Sequence, residues 1–231
     1  MSIIFDRAKN FYQQQGLITL LRNIFAFLIA YENFTCYLYE STLKRRNEDD
    51  FKPRIKEFTL KIVSTKQQLD VLINDGFNLS LHSAEIKKRL EKGAIGCLEF
   101  VEKDLASVEW VAMNAQAKAA IDDYPCRIYF SNKEAYAGGV WTDSKFRGKG
   151  LHMYVYYKIY DYLRENGIVT VRSIVEVNNT AAIKVHEKFA PEEKIYARAR
   201  YLRIMGLKFW RETPVSQSSV GNNSKKPVGS R

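Results

Sequence analysis

Apolar and polar positions alternate with period two in Phe58-Thr-Leu-Lys-Ile-Val63, the pattern of a half-buried strand. Two stretches with helical spacing follow. Lys66 to Asp75 stops before Gly76, and Ser83 to Lys92 stops at Gly93 with Ser83 as its N-cap. Ala94 to Val101 and Leu105 to Met113 read as two strands joined by a hairpin at Glu102-Lys-Asp104. Asn114 to Asp123 reads as a loop or short helix, and Cys126 to Phe130 as one more short strand. The run Tyr136-Ala-Gly-Gly-Val-Trp-Thr142 is strand-like and feeds a basic turn, Lys145-Phe-Arg-Gly-Lys-Gly150. A long helical pattern covers Leu151 to about Glu165. A strand at Thr170 to Val177 follows, then a helix from Asn179, then two strands, Lys194 to Arg200 and Tyr201 to Trp210. This order predicts an α+β fold, a mixed and mostly antiparallel central sheet flanked by helices.

The flanks carry a different pattern. Leu17 to Tyr31 is apolar apart from Thr19 and the pair Arg22-Asn23. It is shorter than the roughly 20 residues that cross a bilayer, and no small-residue cleavage site follows it. The expectation is an extra N-terminal apolar helix, packed on the main domain or a partner subunit, with a membrane-surface helix as the other reading. Lys44, Arg45 and Arg46 followed by Asn47, Glu48, Asp49 and Asp50 read as a surface linker. Pro214 to Arg231 is rich in Ser, Asn, Gly and Lys and is expected to be disordered. Three regions result: 1–50 as helical extension and linker, 51–212 as the main domain, and 213–231 as a tail.

Composition narrows the partners. Net charge is +10, which favours anionic ligands such as phosphorylated cofactors. That charge is spread along the chain, and no arginine-rich helix or aromatic RNA-binding motif accompanies it, so nucleic acid is not expected. Cys36, Cys97 and Cys126 are scattered and odd in number, which points to reduced core residues, no metal site and a cytoplasmic protein.

The basic turn has chemistry of its own. Gly148 and Gly150 carry no Cβ, so a ligand can approach the backbone. The helix that starts beside Gly150 presents unpaired N–H groups and the positive end of its dipole. Arg147 and Lys149 add full charges. A strand, turn and helix in this arrangement suit a phosphorylated ligand. The spacing is neither that of a P-loop nor that of a dinucleotide fingerprint.

Two motifs in this order resemble the GNAT superfamily of N-acetyltransferases. The first is the turn Arg147-Gly-Lys-Gly150-Leu-His152. The second is the helix Asn179-Thr-Ala-Ala182-Ile-Lys-Val-His186-Glu-Lys188-Phe-Ala-Pro191. The resemblance covers about residues 57 to 210. It implies transfer of an acyl group, most often acetyl, from acyl-coenzyme A to a primary amine of a small molecule or amino sugar. It assigns the pyrophosphate to the backbone of Arg147, Gly148, Lys149, Gly150, Leu151 and His152. The pantetheine arm falls to the strand at Val140 and Thr142, and the thioester side of the cofactor to Asn179. A strand N–H polarising the thioester carbonyl acts as an oxyanion hole.

This chain departs from the family pattern at three places. His152 replaces a small residue, Ala190-Pro191 replaces Gly-Phe, and His186 stands where many relatives place a tyrosine general acid. His186 is the candidate acid. Glu109, which interrupts an apolar strand, and Glu134, which opens the strand before the turn, are the candidate bases. Tyr154, Tyr156 and Tyr157 read as packing residues. The early helices and the loop Asn114 to Tyr124 are expected to shape the acceptor site, with Asp122 and Asp123 suited to a cationic amine. A non-catalytic acyl-coenzyme A-binding module and a membrane-surface protein are the alternative readings. A monomer or homodimer is expected.

Overall fold

The computed structural model describes residues 31–79, 82–204 and 207–215. Their elements are β1 Tyr31–Thr42, β2 Phe58–Val63, α1 Lys66–Asn74, α2 Ser83–Glu91, β3 Ile95–Val101, β4 Asp104–Ala112 and α3 Ala115–Ile121. β5 Glu134–Thr142, α4 Leu151–Glu165, β6 Thr170–Glu176, α5 Thr180–Glu187, β7 Glu193–Ile204 and β8 Leu207–Pro214 complete them. The described residues divide into two compact units, one within Leu38–Tyr196, the other residues 31–37 with 197–204 and 207–215.

In the larger unit the strand order is β2-β3-β4-β5-β6-β1-β7. β2 through β5 pair antiparallel, and β5 pairs with β6 in parallel. Alternation along the strands sends side chains to two faces. One face packs Ile95, Cys97, Val111, Ala135 and Ala137 against Val155, Tyr156, Ile159 and Leu163 of α4 and Val185 of α5. The other packs Leu98, Phe100, Val108, Trp110 and Tyr136 against Leu69 and Leu72 of α1, Ile86 and Leu90 of α2, and Ile121 of α3. The tyrosines of α4 serve the core, as their spacing predicts. In the smaller unit β7 and β8 form a hairpin in register from Ala197↔Pro214 to Ile204↔Leu207.

Local chemistry explains most helix starts. Thr65 and Gln68 form a capping box at α1. Asn114 accepts from the Ala117 amide to start α3, and Asn179 from that of Ala182 to start α5. α4 has no side-chain cap and starts instead at Gly150 with φ +89°.

Several expectations need correction. Residues 31–42 form a strand, whereas the sequence reading saw only helix and linker there. Aromatics stand on both faces of β1, at Phe34, Tyr37 and Tyr39, and mask its alternation. Cys126 to Phe130 forms no strand, because the Tyr129 amide donates to Glu134 Oε2 at 2.8 Å rather than to a ladder. β7 does not break at Arg200 but runs to Ile204, since Ala197, Ala199 and Tyr201 continue one buried stripe. Pro214 ends β8 rather than opening the tail. The expected apolar helix at Leu17 to Tyr31 and the tail from residue 216 lie outside the described residues, save Tyr31, which begins β1. Among the described residues no helix is long and apolar enough to cross a membrane.

The charged segment after β1 is a strap rather than a free linker. The Arg46 guanidinium donates to the carbonyls of Lys188 at 2.9 Å, Phe189 at 2.7 Å and Ala190 at 3.0 Å, and pairs with Glu192. It thereby satisfies carbonyls left open at the end of α5. Glu48 accepts from the Tyr154 hydroxyl at 2.6 Å and pairs with Lys158 at 2.9 Å. Phe51 stacks on Tyr157 and Phe189.

Candidate active site

β5 pairs with β6 only from Glu134↔Thr170 to Ala137↔Ser173. Its second half therefore lies beyond the parallel ladder, and Gly139 and Val140 are exposed. On its other edge the pairing with β4 slips by one residue. Trp110 faces Gly138 and Val108 faces Trp141, so Gly139 and Val140 together oppose the single residue Glu109. This is a β-bulge. Gly139 sits in it at φ +63°, and a Cβ there would lie 2.8 Å from Arg89 Nη1 and 3.1 Å from Ile121. A side chain at that point would have to displace Arg89 and hold a left-handed backbone, and the backbone is left open on its exposed edge.

The turn after β5 is tied to the strand by its own side chains. Asp143 accepts from the Lys145 amide at 2.8 Å, and Arg147 Nε donates to the Thr142 carbonyl at 3.1 Å. Thr142 Oγ1 is 2.9 Å from Ser107 Oγ. Arg54 donates its amide to the Lys149 carbonyl at 2.9 Å. Gly148 has φ +75°, and a Cβ there would meet nothing within 4 Å. Among the described residues, the amides of Gly148, Lys149, Gly150, Leu151, His152 and Met153 donate to no protein acceptor; the first helical bond is Tyr154 N–H to Gly150. Six successive unbonded N–H groups at an uncapped helix start, with open space beside Gly148, suit an anion.

The other sequence candidates lie apart from this row. His152 turns its ring inward, away from the cradle: Nε2 is 3.6 Å from Glu109 Oε2, and the Glu109 side chain is 2% exposed. Glu109 belongs to the α4 face, opposite the face that Val108 and Trp110 line. Glu134 is held by Arg172 through two bonds, of 2.8 and 2.9 Å, besides the Tyr129 amide. Burial alone would raise its pKa, but these partners outweigh it and hold the carboxyl below the usual range. A carboxylate so committed is a poor base, and Glu134 is a strut between β5 and β6.

His186 is 4% exposed and stacks on Tyr39 at 4.1 Å. Its Nδ1 is 2.8 Å from Glu193 Oε1 and 3.2 Å from the Tyr156 hydroxyl. The same Glu193 oxygen accepts from Tyr156 at 2.7 Å and Tyr160 at 3.2 Å. Burial, and then Glu193, push both tyrosine hydroxyls well above their ordinary pKa. His186 thus sits in a closed network under α4. The Asn179 oxygen caps α5. Asp122, expected at the acceptor site, is taken by Lys118 at 2.7 Å, by the Tyr124 amide at 3.1 Å and by the Tyr136 hydroxyl.

Glu99 was not singled out by sequence reading. It is fully buried on β3, with neither carboxylate oxygen bonded, and burial pushes its pKa up to about 8. The folded protein holds the proton that the unfolded chain, near 4.5, gives up. Stability therefore falls as pH rises from about 4.5 to about 8, by at most about 1.4 kcal/mol per unit. Glu99→Gln is expected to flatten that slope, with little difference from the parent at pH 4 and a higher urea midpoint at pH 8. Parallel slopes for the two proteins would show that Glu99 is not the group responsible.

A cavity of about 240 Å³ opens on the other side of the bulge, lined by Gly139, Val140 and Trp141 of β5, by Trp110 of β4, and by Ile86 and Arg89 of α2, with His82 and Glu85 also at its wall. Arg89 lies over the Trp110 ring, 5.2 Å from its centroid, and pairs with Glu85 at 2.6 Å. The sequence places the early helices at the acceptor site and Val140 on the cofactor strand, but singles out neither Arg89 nor Trp110. One signal was present: Arg89 stands three residues after Ile86 and beside Leu90, within the apolar stripe of α2.

Residues 80–190 match the family model described as the acetyltransferase (GNAT) family. No curated protein matches the chain. Among solved structures it is similar to a tandem GNAT protein from the clavulanic acid biosynthesis pathway, at 13% identity and TM-score 0.48 over 80% of this chain and 55% of that one. A functionally unknown conserved protein from Staphylococcus epidermidis aligns at 14% identity and TM-score 0.44, over 80% of this chain and 65% of that one. A GNAT-family acetyltransferase from Colwellia psychrerythraea aligns at 15% identity and TM-score 0.45, over 78% and 57%. The chain spans between 55% and 65% of the length of these three structures.

Proposed function

Because residues 80–190 are an acetyltransferase domain of the GNAT family, we propose that this chain moves an acyl group, most often acetyl, from coenzyme A to the primary amine of a small molecule. The observation that carries this reading is the row of six unbonded amides from Gly148 to Met153, directly after the open half of β5. The residues fit the cofactor: the cradle offers donors to a pyrophosphate, and no side chain projects from Gly148 to block it.

The thioester supplies an activated acyl carbon, which gains a bond to the amine nitrogen as its bond to sulfur breaks. The chain's own part is to position and polarise. The exposed edge of β5, from Gly139 to Thr142, has peptide groups free of β6 to pair with the amides of the pantetheine arm. The bulge at Gly139 and Val140 turns backbone N–H toward the carbonyl oxygen, where negative charge grows during attack. Stabilisation of this kind is worth about 3 kcal/mol per donor. The amine enters from the cavity beside α2, where His82 and Glu85 are the groups able to take its proton, directly or through water. The burial of His186, the committed carboxylate of Glu134 and the position of Glu109 on the far face favour these two over the residues first expected. A cytoplasmic location fits the three free cysteines.

The test has two steps. Calorimetry is expected to detect acetyl-coenzyme A binding, and thiol release is expected with at least one primary amine. No heat at millimolar acetyl-coenzyme A removes the reading. Binding without thiol release across an amine panel would make the chain a non-catalytic carrier.

A further inference from the structure

The cavity beside the bulge holds a cation in an unusual place. The Arg89 side chain is only 15% exposed, its guanidinium lies over Trp110, and Nη1 comes within 2.8 Å of where a Gly139 Cβ would stand. Burial lowers the Arg89 pKa, against the pull of Glu85 and Asp122. Asp122 is occupied by Lys118, Tyr136 and Tyr124. Glu85, at the cavity wall and 55% exposed, forms with Arg89 an i,i+4 helix pair, a type worth only about 0.3–0.5 kcal/mol. A half-desolvated guanidinium with so weak a partner, facing a cavity, is suited to a planar anion that offers two oxygens.

Apart from His82 and Glu85, the rest of the lining carries no charged or titratable side chain. Trp110, Trp141, Ile86 and Val108 surround the charge, and the volume of about 240 Å³ is below that of pockets for drug-sized ligands. The distance from Arg89 to the bulge is set by direct packing on Gly139. An anion held by Arg89 therefore sits only a few bonds from the carbon that the amine must reach. A phosphate or a distant acid group would not satisfy that closeness together with the apolar walls. A carboxylate on the carbon that bears the amine would.

Resting on the acyl-transfer reading above, we propose that the acceptor is a free α-amino acid with an apolar or aromatic side chain, its carboxylate held by Arg89 and its side chain lodged between Trp110 and Trp141. Glu85 releases Arg89 to the substrate and stays close enough to receive the ammonium proton.

The test compares L-phenylalanine, L-leucine, L-phenylalaninamide and phenethylamine as acceptors in a thiol-release assay, with acetyl-coenzyme A at saturation. The parent is expected to prefer L-phenylalanine over L-phenylalaninamide and phenethylamine by at least about tenfold in kcat/KM, and to use L-leucine as well. Arg89→Met is expected to raise KM for the acids at least about tenfold while leaving the amide and amine within about twofold, and Arg89→Lys to fall between. Acetyl-coenzyme A affinity, measured by calorimetry, is expected to stay unchanged in both variants, which also reports that they fold. Equal use of acid and amide by the parent, or an equal penalty on both in Arg89→Met, overturns the carboxylate assignment and leaves acyl transfer standing. Thiol release with none of the four but with another primary amine overturns the assignment and leaves acyl transfer standing, and release with no amine of a wider panel overturns both.

Discussion

Gly148→Asp is expected to weaken acetyl-coenzyme A binding by about two orders of magnitude, or roughly 3 kcal/mol, with only a small loss of stability. The site chosen separates the two effects. A Cβ at Gly148 meets no atom within 4 Å, so the new side chain displaces nothing. The backbone there is left-handed at φ +75°, a region that aspartate tolerates better than most residues, at a cost of about 1–2 kcal/mol. The carboxylate, by contrast, brings a negative charge to the row of amides that would otherwise receive the diphosphate. Gly148→Ala adds a Cβ without the charge, at no smaller a backbone cost, and is expected to bind acetyl-coenzyme A more tightly than the aspartate variant. Calorimetric affinities and thermal melts of the three proteins decide the matter. Similar affinities for the aspartate and alanine variants would place the diphosphate elsewhere.

Glu193→Ala is expected to destabilise the fold by about 3–5 kcal/mol. One carboxylate oxygen of Glu193 receives His186, Tyr156 and Tyr160, and all four residues are buried. Removing it strands three polar groups in the core and leaves a void where the side chain was. Glu193→Gln keeps an acceptor oxygen and is expected to lose less than half as much. Urea midpoints at pH 7 check both numbers. A loss under about 1 kcal/mol in the alanine variant would mean that water repairs the network. The same logic reassigns His186. Its register in α5 matches a position where a general acid would stand, but its ring is spent on holding β7 to α4 and α5.

The sequence made the turn and its helix readable because their signals are local. Gly148, Gly150 and the charges between them lie within a few residues, and the absence of a capping side chain at the start of α4 is itself a sequence fact. The cap expected at Ser83 is not there: Ser83 is already the first residue of α2, after His82, whose side chain makes no cap bond. What stayed hidden depends on pairs far apart in the chain. Glu134 looked like a free carboxylate until β6 brought Arg172 beside it, 38 residues later. Arg89 carries no local signal of a ligand site, because β4 and β5 supply the Trp110 ring and the Gly139 bulge beside it. β1 was missed for another reason: its aromatics face both ways, and period-two alternation is visible only when one face is polar.

The bond from the Arg54 amide to the Lys149 carbonyl has a consequence for how the cofactor is met. That carbonyl and the Gly150 N–H belong to one planar trans peptide, so fixing the oxygen on one side aims the hydrogen to the other. The peptide cannot rotate without breaking a bond to a segment almost a hundred residues away in sequence. The cradle is thus set before any anion arrives, and little chain entropy remains to be lost on capture.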